Sequence, residues 1–320
     1  MPHILGGQYF LDIQDRVSYT FPHKKEVLIK KKDTHFYSKG LTCSAWLYMP
    51  DSGVKPPVVI MAHGFAGEKD FGLQPYAEHF ACKGMAVFVF DYRNFGTSEG
   101  EPRNLVNPWR HLEDWKAAIS HVRKLECVDG SRLALWGTSF SGGHVMVTAA
   151  RQNGIRAVVA QVPFVDGIAT TMQFSIPYQL EGLYHGIRDL LSMVKGNGPH
   201  MVPAVAEPGT FACMNTPDAM QGYNALVPKD STMKNEVPAR ILLMISAYRP
   251  IMYARRISCP VLIMYAKNDS LIPAKAVERM GSRIPNAEVV GLPAGHFDVY
   301  TGELFKQVVQ KQAAFLLRNL

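Results

Sequence analysis

Leu135-Trp136-Gly137-Thr138-Ser139-Phe140-Ser141-Gly142-Gly143 sets a serine between an apolar run and a stretch of small residues. Arg132 to Trp136 reads as a buried strand, and Ser141 through Gln152 as a helix. A serine at such a junction sits on a sharp turn, its hydroxyl thrust outward and its backbone N–H beside a helix N-terminus. That conformation is strained, and strain of this kind persists where chemistry uses it. Ser139 is therefore the candidate nucleophile.

On either side of this turn, apolar runs alternate with helical patterns. Glu26–Lys32 and Leu41–Met49 read as an antiparallel pair, followed by strands at Pro57–Ala62, Ala86–Tyr92, Arg132–Thr138, Ile155–Val162, Pro260–Ala266 and Ala287–Leu292. The middle strands are continuously apolar, as strands buried on both faces must be. Helical periodicity marks Pro75–Lys83, Pro108–Glu126, Ser141–Gln152, Ala274–Ile284 and Glu303–Asn319. In the second of these, Trp109, Leu112, Trp115, Ala118, Ile119 and Val122 fall on one face. The alternation predicts an α/β fold: a mostly parallel, eight-stranded sheet with helices on both faces. Residues 1–163 and 257–320 would form this core. Residues 164–256 break the rhythm with short helical patterns, prolines and many aromatic and methionine side chains, and read as an inserted helical cap over the sheet's carboxyl edge.

Two further residues complete a catalytic set. Asp269 ends the apolar strand Val261–Ala266 in Lys267-Asn268-Asp269-Ser270, and His296 follows the strand ending at Leu292 in Ala294-Gly295-His296-Phe297. In parallel α/β sheets, catalytic groups lie beyond the carboxyl ends of strands, where all three residues fall. A serine hydroxyl needs a neighbouring imidazole to take its proton, and a carboxylate to hold that imidazole's tautomer. The oxyanion of the tetrahedral intermediate needs two fixed donors. The Phe140 N–H directly follows the nucleophile, and the Phe65 N–H lies in the loop Ala62-His63-Gly64-Phe65 after a strand. Losing one such donor costs about 3 kcal/mol of transition-state stabilisation. Blander roles compete. Asp269 could form a turn, Asp166 and Asp298 are rival acids, His63 suits ordering the oxyanion loop, and His144 suits packing within a helix.

The order Ser139, Asp269, His296 is that of the α/β-hydrolase superfamily, which the chain resembles over most of its length. The matching residues are His63-Gly64, Asp91-Tyr92-Arg93-Asn94-Phe95-Gly96-Thr97-Ser98, the Ser139 elbow, Asn268-Asp269 and Gly295-His296. Within the superfamily it resembles the dienelactone-hydrolase-like and Xaa-Pro-peptidase-like branch, which includes bacterial serine hydrolases and fungal polyketide transferases. Asn235–Arg240 through Tyr248–Pro250 has the look of that branch. Two departures stand out. The usual Gly-x-Ser-x-Gly elbow carries Ser141 at its last position, and Asn94 occupies a loop position where glycine is common. Asparagine tolerates positive φ better than most residues, so a similar bend is expected there.

The resemblance implies a serine hydrolase cleaving an ester, thioester or related acyl bond. Acyl transfer through the same acyl-enzyme is an alternative, and so is a non-catalytic protein that keeps the pocket. A dinucleotide fingerprint, a phosphate loop and paired Cys/His spacing are all missing, so no cofactor and no metal are expected. The formal charge of +7 draws on Lys30-Lys31-Lys32 with Lys24 and Lys25 nearby, which reads as a solvated strand edge rather than a nucleic-acid surface. Met1 to Gln14 lacks a secretory pattern, and no run approaches the ~20 apolar residues of a membrane span. Five cysteines, an odd number without ligand spacing, fit reduced thiols and a cytoplasmic setting. The expected partner is a small-molecule substrate, with a homo-oligomer left open.

Overall fold

The computed structural model describes residues 16–19 and 27–320; Met1 to Gln14, Lys24, Lys25 and Glu26 lie outside them. All eight expected strands are present, joined in one sheet by a short additional edge strand that the sequence pattern does not mark. Strands β1 (Arg16–Tyr19), β2 (Val27–Ser38) and β3 (Leu41–Pro50) form an antiparallel meander. Next come β4 (Pro57–Ala62), β5 (Ala86–Phe90), β6 (Asp129–Thr138) and β7 (Ala157–Gln161). A separate antiparallel ribbon is made by β8 (Met201–Pro203) and β9 (Glu236–Pro238), and the main sheet closes with β10 (Val261–Ala266) and β11 (Ala287–Leu292). The sheet order is β1-β2-β3-β5-β4-β6-β7-β10-β11, with parallel neighbours from β5 onward.

Among the described residues β1 pairs with Val27 to Lys30, and beyond Lys30 β2 pairs with β3 alone. There Lys31 Nζ lies 3.6 Å from the centre of the Trp46 ring, while Lys32 is exposed. Lys31 of this run is thus stacked on an aromatic side chain of β3.

Strand residues alternate between two packed faces. Val58, Ile60, Leu133, Leu135 and Val158 pack with Trp115 and Ile119, whereas Val59, Met61, Ala134, Trp136 and Val159 pack with Tyr76 and Phe80 of a different helix. These helices span Gln74–Cys82 for α1 and Pro108–Val122 for α2, and α3 (Phe140–Ala149) joins the α2 side. Covering both faces is why the central strands are apolar without alternation. Trp109 departs from the expected face of α2: it is 43% exposed, while Trp115 is fully buried.

Between β7 and β10 the chain forms α4 (Gly167–Thr171), α5 (Ile176–Val194), α6 (Ala219–Asn224) and α7 (Ile241–Met244), with two 3-10 segments at Ile245–Ala247 and Pro250–Arg256. The short β8–β9 ribbon also lies inside this largely helical insertion. Three-residue strands that each end in proline are too short to show a period of two. α8 (Ala274–Gly281) and α9 (Gly302–Asn319) complete the element order, with α9 packed on the α1 side. Among the described residues no helix is long and apolar enough to cross a membrane.

Candidate active site

The strand order reverses at the β4–β6 boundary, because the chain leaves β4 toward β5 and leaves β6 toward β7. Loops that depart in opposite directions open a crevice at the carboxyl ends of two adjacent strands. Ala62 is in register with Gly137, so Gly64 and Ser139, each two residues further on, face one another across that crevice. A Cβ on Gly64 would lie 2.9 Å from Ser139 Cβ and 3.4 Å from its Oγ, so the loop after β4 closes directly on the serine.

Ser139 has φ 54° and ψ −120°, the strained turn expected from its position between strand and helix. Its N–H donates to Gln161 O at 2.8 Å, and its carbonyl accepts from Phe164 N at 2.8 Å, which ties the turn to the end of β7. A Cβ on Gly137 would strike the Ser141 carbonyl, and one on Gly142 would lie 2.8 Å from Pro163 Cα. The close approach thus falls on Gly137 and Gly142, leaving room for a side chain at Ser141. Ser141 is fully buried, and its Oγ lies 2.8 Å from Tyr92 Oη, which also accepts from Trp115 Nε1 at 3.0 Å. Serine is tolerated at this position because its hydroxyl has a partner.

His296 Nε2 lies 3.1 Å from Ser139 Oγ, and His296 Nδ1 lies 2.7 Å from Asp269 Oδ2. The other oxygen of Asp269 accepts from Leu271 N at 2.9 Å and Ile272 N at 2.8 Å, which fixes the carboxylate plane. Both rival acids are engaged elsewhere. Asp166 accepts from Ile168 N at the start of α4 and pairs with Arg249 at 2.8 Å. Asp298 accepts from Gly295 N at 2.8 Å and holds the loop that carries His296.

The loop after β4 is braced from below. Lys69 Nζ lies 2.7 Å from Asp91 Oδ2, and Lys69 N donates to Asp91 Oδ1 at 2.6 Å. A side chain at Gly96 would collide with the Asp91 carboxylate, and Asn94 adopts φ 76°, the positive bend expected of it. Phe65 and Phe140 bring their rings to 5.7 Å in an edge-to-face contact. Among the described residues the Phe65 N–H donates to no backbone acceptor, and Phe140 opens α3, where helix geometry leaves an N–H without an intrahelical partner. His63 is buried, with Nδ1 3.0 Å from Gly64 O, and burial holds its imidazole down at about 3. It orders the loop as a neutral ring.

Behind the serine lies a buried polar cluster that sequence spacing does not reveal. His111 of α2 and His144 of α3 approach at 3.2 Å, and His144 Nδ1 lies 2.6 Å from Tyr248 Oη. The Tyr92 ring stacks on His111 at 4.0 Å. Burial lowers His144 to about 3 and His111 well below its ordinary value, so both stay neutral and each can donate once and accept once. The cluster anchors Tyr248, from the segment between β7 and β10, on the helix that begins at the elbow.

Two cavities meet at Ser139. The larger, about 320 Å³, runs under α4, α5 and α7 and is walled by Phe140, Phe164, Phe174, Leu183, Phe211 and Leu271 among others. The smaller, about 40 Å³, is walled by Phe71, Tyr223, Leu226 and Phe297 and includes His63 and His296. Phe65, Ser139 and Met214 border both. Among the described residues no group of three or more His, Cys, Asp or Glu side chains is placed to hold a metal ion.

Residues 55–291 match the family model described as serine aminopeptidase, S33. The quorum-quenching protein AidA of Acinetobacter baumannii (strain MDR-ZJ06) is 43% identical over 89% of this chain and 94% of its own length. The polyketide transferase af380 of Aspergillus fumigatus is 27% identical over 91% of this chain and 99% of its own. Among solved structures, the α/β hydrolase GrgF from Penicillium sp. sh18 has a TM-score of 0.77 at 24% identity, covering 90% of this chain and 98% of its own.

Proposed function

The chain belongs to the serine aminopeptidase S33 family of α/β hydrolases, and from that premise we propose that it is a serine hydrolase of acyl compounds with Ser139 as nucleophile. The observation that carries this reading is the hydrogen-bonded line from Ser139 Oγ through His296 to Asp269, at 3.1 Å and 2.7 Å. His296 takes the proton of Ser139 as Oγ attacks the carbonyl carbon, and the Phe65 and Phe140 amides receive the resulting oxyanion. The tetrahedral intermediate collapses as the bond to the leaving atom breaks, and that atom takes the proton back from His296. Water, activated by the same imidazole, then releases the acyl group. Asp269 holds the imidazole tautomer and stabilises the imidazolium without being protonated itself.

Among the described residues neither cavity wall includes a carboxylate that would hold the ammonium group of an aminopeptidase substrate. That favours esters, thioesters and related acyl compounds. We read residues 164–256 as a cap that shields the acyl-enzyme, supported by the larger cavity lying beneath α4, α5 and α7. The similarity to a polyketide transferase favours one second reading, in which an alcohol or amine replaces water as acceptor. Product analysis with candidate acceptors separates the two. A cytoplasmic setting is supported by Cys43, Cys82, Cys127, Cys213 and Cys259 all being free thiols.

The test is turnover of an activated short-chain ester by native protein and by Ser139→Ala. We expect a loss of roughly 10⁴-fold or more with the fold retained. Turnover that survives the substitution would rule out Ser139 as nucleophile.

A further inference from the structure

We propose that the site selects acyl compounds with a long apolar acyl chain and a small leaving group; this rests on the reading of Ser139 and His296 given above. The bond from the carbonyl carbon to the leaving atom breaks only as His296 Nε2 delivers a proton to that atom, so the leaving atom must come within hydrogen-bond reach of the imidazole. His296 borders the smaller cavity and not the larger one. The leaving group therefore enters the small chamber, and the acyl substituent, on the other side of the carbonyl carbon, extends into the large one.

The two chambers differ greatly in capacity. About 320 Å³ is at the lower end of the range that encloses a drug-sized molecule. About 40 Å³ holds a few heavy atoms, being little more than one water's ~30 Å³ share of liquid. The small chamber is also firmly walled. Tyr223 donates a hydrogen bond to Ala66 O in the loop after β4, Phe71 packs edge-on against Tyr223, and a Cβ at Gly222 would strike the Phe297 ring. A bulky alcohol beside the carbonyl would crowd Tyr223 and Phe297, groups that also pack against the loop carrying the Phe65 amide. The large chamber is lined by aromatic and aliphatic side chains and rewards each methylene of an acyl chain that it covers.

The experiment compares two constitutional isomers, ethyl decanoate and decyl acetate, which share their atoms and ester bond and differ in which side carries the chain. With native protein, kcat/KM is expected to favour ethyl decanoate by roughly tenfold or more. Two variants report on the walls: Leu226→Ala should narrow that preference by admitting the longer alcohol. Gly182→Leu should narrow it by filling the large chamber, where a Cβ has its nearest neighbour at 3.7 Å and a longer side chain projects onward. Equal rates or a preference for decyl acetate would overturn the chamber assignment while leaving the hydrolase reading intact. Turnover of p-nitrophenyl acetate that depends on Ser139, with turnover of neither isomer, would overturn it as well. Ester turnover that persists in Ser139→Ala, or no turnover of any ester, instead contradicts the proposed function itself.

Discussion

At the scale of single residues, the site is held by backbone as much as by side chains. Gly64 shows this most directly, since its Cα faces Ser139 with no room for a methyl group between them. Gly64→Ala should push the loop and its Phe65 amide off the proposed oxyanion position and lower kcat on an activated ester by roughly 10²-fold. Asp269→Asn keeps the shape but favours the wrong imidazole tautomer, and a kcat loss of roughly 10⁴-fold is expected with KM nearly unchanged. Ser139, Asp269 and His296 are legible in the sequence because each follows an apolar strand, and strand ends converge in a parallel sheet. The pairing of Ser141 with Tyr92 and of His111 with His144 is not legible. Those contacts join the end of β5, α2 and α3 through packing angles that no spacing along the chain encodes.

At the scale of elements, α5 is the least embedded helix of the inserted segment: only Gly182, Gly186 and Asp189 of its 19 residues are buried. Asp189 fastens it through Arg240, whose guanidinium lies 2.6 Å away. Ile176, Leu180, Tyr184 and Val194 on its outer side are exposed. Its two buried glycines should behave oppositely. At Gly182 an added Cβ finds its nearest neighbour at ordinary contact distance, 3.7 Å, so Gly182→Ala should stabilise the protein by about 0.5–1 kcal/mol through helix propensity. At Gly186 the same Cβ would sit 2.6 Å from Leu243 Cγ, so Gly186→Ala should cost about 1–3 kcal/mol. Denaturant midpoints of the two variants decide the matter. The long buried strands and their covering helices are readable because burial on two faces imposes continuous apolar runs. The β8–β9 ribbon and the edge strand β1 are not, since three or four residues carry too little pattern.

At the scale of the whole molecule, buried neutral histidines link folding to pH. His63 and His144 are held at about 3 by burial, whereas in the unfolded chain each titrates near 6.5. Between those values the unfolded state binds more protons, so their contribution is intact above about 6.5 and is lost as pH falls toward about 3. Glu68, raised to about 7 by burial, acts in the opposite sense, its contribution fading as pH rises toward that value. The clean measurement is therefore a difference: between pH of about 6.5 and 5, native protein should lose more stability than His144→Gln, by on the order of 2 kcal/mol. An equal loss would show that His144 takes up its proton in the folded state. The hydroxyl of Ser139 lies 3.1 Å from the His296 imidazole, and reactivity toward a fluorophosphonate reads out that arrangement in a single step. Peptide mapping of labelled native protein should find the phosphonyl adduct on Ser139, with labelling abolished in His296→Ala. A folded native protein that stays unlabelled, or carries the adduct on another residue, would contradict the assignment of Ser139 as the nucleophile.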